Sequence, residues 1–93
     1  MGTELIYTFS NTHYSISAEK ALLEADVPVK VMPLPSAIRA GCGLCLRMPM
    51  ECDDAAGEAL RSYNIPLQQR YKKLDDNGTA RYISFEEEAE RGG

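Results

Sequence analysis

The chain of 93 residues has no tryptophan, two phenylalanines, a single histidine and three cysteines. No apolar run approaches the ~18 residues that a membrane helix requires. Met1-Gly2-Thr3-Glu4 has neither the cationic start nor the apolar core of a secretory signal, so a cytoplasmic protein is expected. An odd number of cysteines cannot form a fully paired disulfide framework within one chain, and a reducing compartment is the simpler expectation. Basic residues are in deficit: ten lysines and arginines against fourteen acids give a net charge of -4. The acids concentrate in Glu51-Cys52-Asp53-Asp54 and Glu86-Glu87-Glu88-Ala89-Glu90. A broad nucleic-acid footprint needs a basic face, so none is expected.

What is present fits a small soluble domain. Hydrophobic residues make up 44% and charged residues 26% of the chain, the balance of a globular protein. The length allows one modest core and no second. A single domain over residues 1–93 is expected, with a folded core over 4–85 and an acidic polar tail over 86–93.

Leu5, Tyr7 and Phe9 alternate with Ile6 and Thr8, the pattern of a first strand. Ser10, Asn11 and Thr12 are three candidate N-caps for a helix from His13 to Ala25, whose Tyr14, Ala18, Ala21, Leu22 and Ala25 share one face. Val29 to Met32, flanked by prolines, reads as a short strand leading into Pro33-Leu34-Pro35. Ser36 to Gly41 reads as a loop with room for one helical turn, and Leu44, Leu46 and Met48 as a third strand ending at Pro49. Asp53 or Asp54 is the expected cap of a second helix, with Ala56, Ala59, Leu60 and Tyr63 on its apolar face. Leu67 to Leu74 and Thr79 to Phe85 flank Asn77-Gly78, a strong hairpin signal. Alternation along the first of these runs places Arg70 and Lys72 on one face and Tyr71 and Lys73 on the other, as in an exposed edge strand. The order predicts an α+β ferredoxin-like β-α-β-β-α-β sandwich with an extra C-terminal edge strand and both helices on one face of an antiparallel sheet.

In that arrangement strand three returns between strands one and two. One sheet edge then gathers the end of strand one, the start of helix one and the start of strand three: Ser10 to His13 and Cys42 to Cys45. A helix N-terminus favours an anion such as a thiolate or persulfide, and Gly41 and Gly43 allow backbone amides to approach. His13 could add a cation or exchange a proton near neutral pH. Its competing reading is a solvated side chain at a helix start. Cys42 and Cys45 point to opposite faces of a regular strand, so a disulfide between them needs a turn at Gly43. Cys45 reads more readily as a packed small hydrophobe. Cys52 lies on the order of 20 Å from Cys42 at about 3.3 Å per residue, leaving Cys42, Cys45 and His13 as three potential ligands where structural zinc wants four. An open site, or one shared between chains, would be the remaining metal arrangement. No cofactor is indicated.

The run Phe9-Ser10-Asn11-Thr12-His13, then Glu19-Lys20, Pro33-Leu34-Pro35, Cys42-Gly43 and Leu46-Arg47 resembles the selenium/sulfur carrier-like family over residues 5–48. The resemblance implies that Cys42 is the carrier thiol, with His13 as its neighbour. Gly41, Gly43, Arg39 and Cys45 would then form the loop around the carried atom. The chain departs from the pattern at Ser36, where an arginine is expected, and at Arg39-Ala40-Gly41, where small hydroxyl residues are expected; Arg39 could take over an anion contact. The implied function is a carrier loaded by a cysteine desulfurase or a selenium-donor protein and discharged to an acceptor protein. Two other readings stay open: a non-catalytic ferredoxin-like protein-binding module with structural cysteines, for which a homodimer is one form, and a Cys42/Cys45 dithiol redox protein.

Overall fold

A computed structural model describes residues 3–39 and 41–86; the expected acidic tail beyond Glu86 lies outside the described residues. Along the chain follow β1 (Glu4–Thr8), α1 (Thr12–Glu24), β2 (Lys30–Pro33), β3 (Leu44–Pro49), a 3-10 turn (Met50–Cys52), α2 (Asp53–Ser62), β4 (Gln69–Asp76) and β5 (Thr79–Ser84). The strands form one sheet in the order β2-β3-β1-β4-β5, every neighbouring pair antiparallel. This is the expected ferredoxin-like order with one strand added at the edge.

The alternation in β1 divides the sheet's two faces. Leu5, Tyr7 and Phe9 join Leu46 and Met48 of β3 in a core with Ala18 and Leu22 of α1 and Ala56, Ala59 and Leu60 of α2. Both helices therefore bury their apolar stripes against the same sheet face. Each fully buried Leu or Phe side chain in such a core contributes about 1.5–3 kcal/mol. Ile6 and Cys45 point the other way, where Ile38 of the β2–β3 connection covers them. Among the described residues, no helix is long and apolar enough to cross a membrane.

The helix ends have local causes. Asn11 is the cap of α1, its side chain accepting the Tyr14 amide at 2.8 Å. Both helices end in the Schellman pattern, with Asp26 and Asn64 taking the left-handed position. Val27 N–H bonds Leu22 C=O and Ile65 N–H bonds Leu60 C=O, each at 2.9 Å.

Two local expectations need correction. Neither Asp53 nor Asp54 caps α2: the cap position belongs to Cys52, which makes no side-chain capping bond. The inserted 3-10 turn carries Asp53 into the first helical turn. There its carboxylate accepts the Tyr7 hydroxyl and pairs with Arg70 at 2.6 Å. Nor is β4 an edge strand, because β1 flanks it on one side and β5 on the other. Arg70 turns onto Asp53 and also stacks over the Phe85 ring, 4.0 Å from its centroid. The Asn77-Gly78 hairpin forms as expected, both residues having positive φ and Asp76 pairing with Thr79.

Candidate functional site

The antiparallel pairing of β3 with β1 sets Cys45 opposite Thr8. The residues just before β3 consequently reach the edge where β1 ends and α1 begins. The β2–β3 connection is closed at its base by the Leu34 N–H bond to the Gly43 carbonyl at 2.9 Å. Within it, Pro35 C=O accepts the Ile38 N–H at 2.9 Å, a single turn that drives Ile38 into the second core.

Gly41 and Gly43 bracket the thiol, with φ of +83° and +93°. They do so for different reasons. A Cβ on Gly41 would stand 2.8 Å from the Phe9 carbonyl oxygen and 3.2 Å from Gln68 Oε1, whereas a Cβ on Gly43 would meet nothing within 4 Å. Gly41 thus permits close packing against the end of β1, while Gly43 supplies only backbone freedom.

Cys42 Sγ lies 3.3 Å from Ser15 Oγ. Ser15 is fully buried, and its hydroxyl also reaches the Asn11 carbonyl at 3.5 Å. Thr12, one turn earlier on the same helix face, is the other side chain that favours the anionic sulfur. The protonated thiol can donate its one proton either to Ser15 Oγ or to the Leu44 carbonyl at 3.8 Å. The sulfur therefore sits against the first turn of a 13-residue helix that carries no acid in that turn, where the helix dipole favours negative charge. Desolvation disfavours the thiolate, but hydrogen bonds from Ser15, the backbone at Leu44, Thr12 and the backbone of Cys42 outweigh it, lowering the Cys42 pKa below its ordinary value. The thiol is half-buried, so the resulting anion remains open to solvent.

Cys45 is placed oppositely. It is fully buried on the sheet face away from the helices, with Sγ 3.8 Å from the Pro33 carbonyl. Burial, followed by the charge of Cys42, pushes its pKa up to about 11, against a smaller lowering by Arg47. Cys52 is half-buried against the main core, beyond the far end of β3. All three cysteines are free thiols.

His13 is exposed at the start of α1. It lines a cavity of about 550 Å³ with Tyr14, Lys20 and Tyr63, between α1 and the end of α2. The side-chain hydrogen bond to Cys42 comes instead from Ser15. Arg39 is exposed in the same connection as Cys42. Among the described residues, no three His, Cys, Asp or Glu side chains gather as metal ligands.

Ser15 was not singled out by sequence, and Thr12 was read only as a candidate cap and as part of the stretch beside Cys42. The signal for Ser15 was present: helical spacing puts it with Ala18 and Leu22, a hydroxyl on an otherwise apolar face. Such a group needs a buried partner, and Cys42 and Asn11 provide it.

No curated protein and no solved structure matches the chain. The family model described as "Putative Se/S carrier protein-like" matches residues 4–72, a span running from β1 into β4 and including the whole Cys42 site. By that match over more than half its length, the chain belongs to the Se/S carrier protein-like family.

Proposed function

We propose that the protein carries sulfur or selenium on Cys42. The observation that supports this most is the setting of one half-exposed thiol against the first turn of α1, within reach of Ser15 and Thr12. A carrier needs an accessible thiolate at neutral pH and little else. In the loading step, the Cys42 thiolate attacks the terminal sulfur of a donor's persulfide. The S–S bond of the donor breaks, a new S–S bond forms at Cys42, and the donor's cysteine leaves as thiolate. Selenium would transfer in the same sense, as a selenosulfide. No net oxidation occurs, so neither redox cofactor nor second cysteine is required. Discharge to an acceptor thiolate repeats the exchange with Cys42 as the leaving group.

The placement of Cys45 favours this reading over a dithiol mechanism. Its sulfur faces the opposite side of the sheet beneath Ile38, and its pKa is raised. The partners would be a cysteine desulfurase or a selenium-donor protein and an acceptor protein, in a reducing compartment. Exposed His13 at the start of α1 and exposed Arg39 in the connection that carries the thiol would belong to the surface that such partners meet.

The test is loading by a cysteine desulfurase supplied with cysteine, followed by mass mapping of the persulfide. The unmodified protein and Cys45→Ser should load, whereas Cys42→Ser should not. Loss of loading in both variants would support the dithiol mechanism. Failure of the unmodified protein to load from several sulfur and selenium donors would favour a binding module with structural cysteines.

A further inference from the structure

Ser15 has two partners for one proton. Its Oγ lies 3.3 Å from Cys42 Sγ and 3.5 Å from the Asn11 carbonyl, and no part of the residue is exposed. The Asn11 carbonyl also accepts the Ser15 N–H at 3.3 Å. It therefore keeps a donor even when the hydroxyl turns away. A serine hydroxyl donates one hydrogen bond and accepts others, and its hydrogen rotates to suit.

We propose that Ser15 is the positioning residue of the Cys42 site, its hydroxyl turning between the Asn11 carbonyl and the Cys42 sulfur as the thiol gains or loses its proton. With the thiol protonated, S–H donates to Ser15 Oγ and the serine donates to Asn11. When the proton departs to solvent, the serine O–H turns onto the sulfur anion. Both arrangements leave the Ser15 hydroxyl and the Asn11 carbonyl partnered. This inference rests on the reading of Cys42 as the carrier thiol and adds the group that serves both half-reactions. Ser15 holds the thiolate before it attacks the donor, then receives it again when the acceptor removes the terminal atom. Between those events the inner sulfur of the persulfide is neutral and Ser15 returns to Asn11.

Among the described residues, no ionised side chain is hydrogen-bonded to Ser15 or Cys42. Thr12 and Ser15 on α1 are neutral, and His13 lies on an adjacent face of that helix. Arg39 is exposed in the connecting loop, and from β3 the titratable neighbour is the Cys45 thiol, with Arg47 acting on Cys45. Gln68, at the start of the β4 side, is uncharged. The hydroxyl, 3.3 Å from the sulfur, is thus placed to answer a change of charge on it.

The test is the pH profile of Cys42 alkylation by iodoacetamide, mapped by mass, in the unmodified protein, Ser15→Ala and Ser15→Thr. Cys45 serves as an internal report on folding because it is buried. Ser15→Ala should move the Cys42 midpoint up by about one pH unit and lower its rate at neutral pH about tenfold, the scale of one hydrogen bond to a charged group. Ser15→Thr, which keeps the hydroxyl, should restore the midpoint. An unchanged midpoint in Ser15→Ala with Cys45 still protected would overturn the proposal. Newly reactive Cys45 without a Cys42 shift would also overturn it, by making the role of Ser15 purely structural. Persulfide loading of the unmodified protein is scored separately: its absence together with a shifted midpoint would defeat the carrier reading and leave Ser15 its role in setting the thiol.

Discussion

Alanine at Gly41 and at Gly43 should have unequal costs, and the inequality links the fold to the thiol. Both glycines have positive φ, +83° and +93°. An L-residue in that region costs about 1–2 kcal/mol, partly offset by about 0.4–1 kcal/mol from the stiffer unfolded chain. For Gly43→Ala nothing further applies, because the added Cβ meets no atom within 4 Å. Its net cost should be about 1 kcal/mol. Gly41→Ala adds a clash, with the new Cβ 2.8 Å from the Phe9 carbonyl oxygen. That oxygen belongs to backbone next to the central strand and cannot yield as a side-chain end can. Overpacking of this kind costs about 1–3 kcal/mol more, bringing the total to about 2–4 kcal/mol. A domain of this size has only about 5–14 kcal/mol of stability.

Urea denaturation reads the difference directly. With a slope of about 1–3 kcal/mol per molar, Gly41→Ala should unfold about 1–2 M earlier than the unmodified protein, and Gly43→Ala by less than half that shift. The same clash has an alternative outlet, in which the loop lifts away from Phe9 and carries Cys42 off Ser15. Stability would then fall less, but Cys42 would lose its ease of alkylation at neutral pH. Equal denaturation midpoints for the two variants, with Cys42 reacting as before, would refute the close packing assigned to Gly41.

Two further perturbations address charge. The Tyr7 phenol is pushed above its ordinary value of 10.0, first by burial and then by its hydrogen bond to Asp53 and the Asp53 charge, with Arg70 acting against them. A folded-state pKa above the unfolded one gives stability that is present below about pH 10 and lost as pH rises beyond it, at about 1.4 kcal/mol per pH unit. Tyr7→Phe should remove that part of the alkaline slope in denaturation measured across this range; an unchanged slope would mean that the phenol is not held as the structure shows. His13→Ala should leave the Cys42 alkylation midpoint in place, because the hydrogen bonds to the sulfur come from Ser15, Thr12 and backbone. A shift of the midpoint by a full unit would put the imidazole within the field of the thiol.

The parts of the fold legible in the sequence were those written in local periodicity. Leu5, Tyr7 and Phe9 against Ile6 and Thr8 specify both a strand and its two faces, and Asn77-Gly78 specifies a two-residue hairpin. Topology then followed, because the helices' apolar stripes had to share one sheet surface. What escaped were contacts between elements distant in sequence. Asp53 has the chemistry of a helix cap, and nothing local tells that Tyr7, 46 residues away, and Arg70 claim its carboxylate. Arg70 and Lys72 likewise have the composition of an exposed edge, although Phe85 brings both cations over its ring. At the site, the helix start and the glycines were readable, whereas Ser15 lay hidden within an apolar face.

The spacing of the two nearest thiols carries opposite meanings in different backbones. On the first turn of a helix, cysteines three residues apart share a face and can exchange a disulfide. Here Cys45 is already in β3, opposite Thr8, while Cys42 still belongs to the loop that meets α1. The sheet itself comes between their environments: one sulfur faces the helix start and solvent, the other lies beneath Ile38. Ionising Cys42 also opposes ionisation of Cys45. The same strand that brings Cys42 to the positive end of α1 therefore withdraws Cys45 from it, which suits transfer through one sulfur and disfavours closure of a pair.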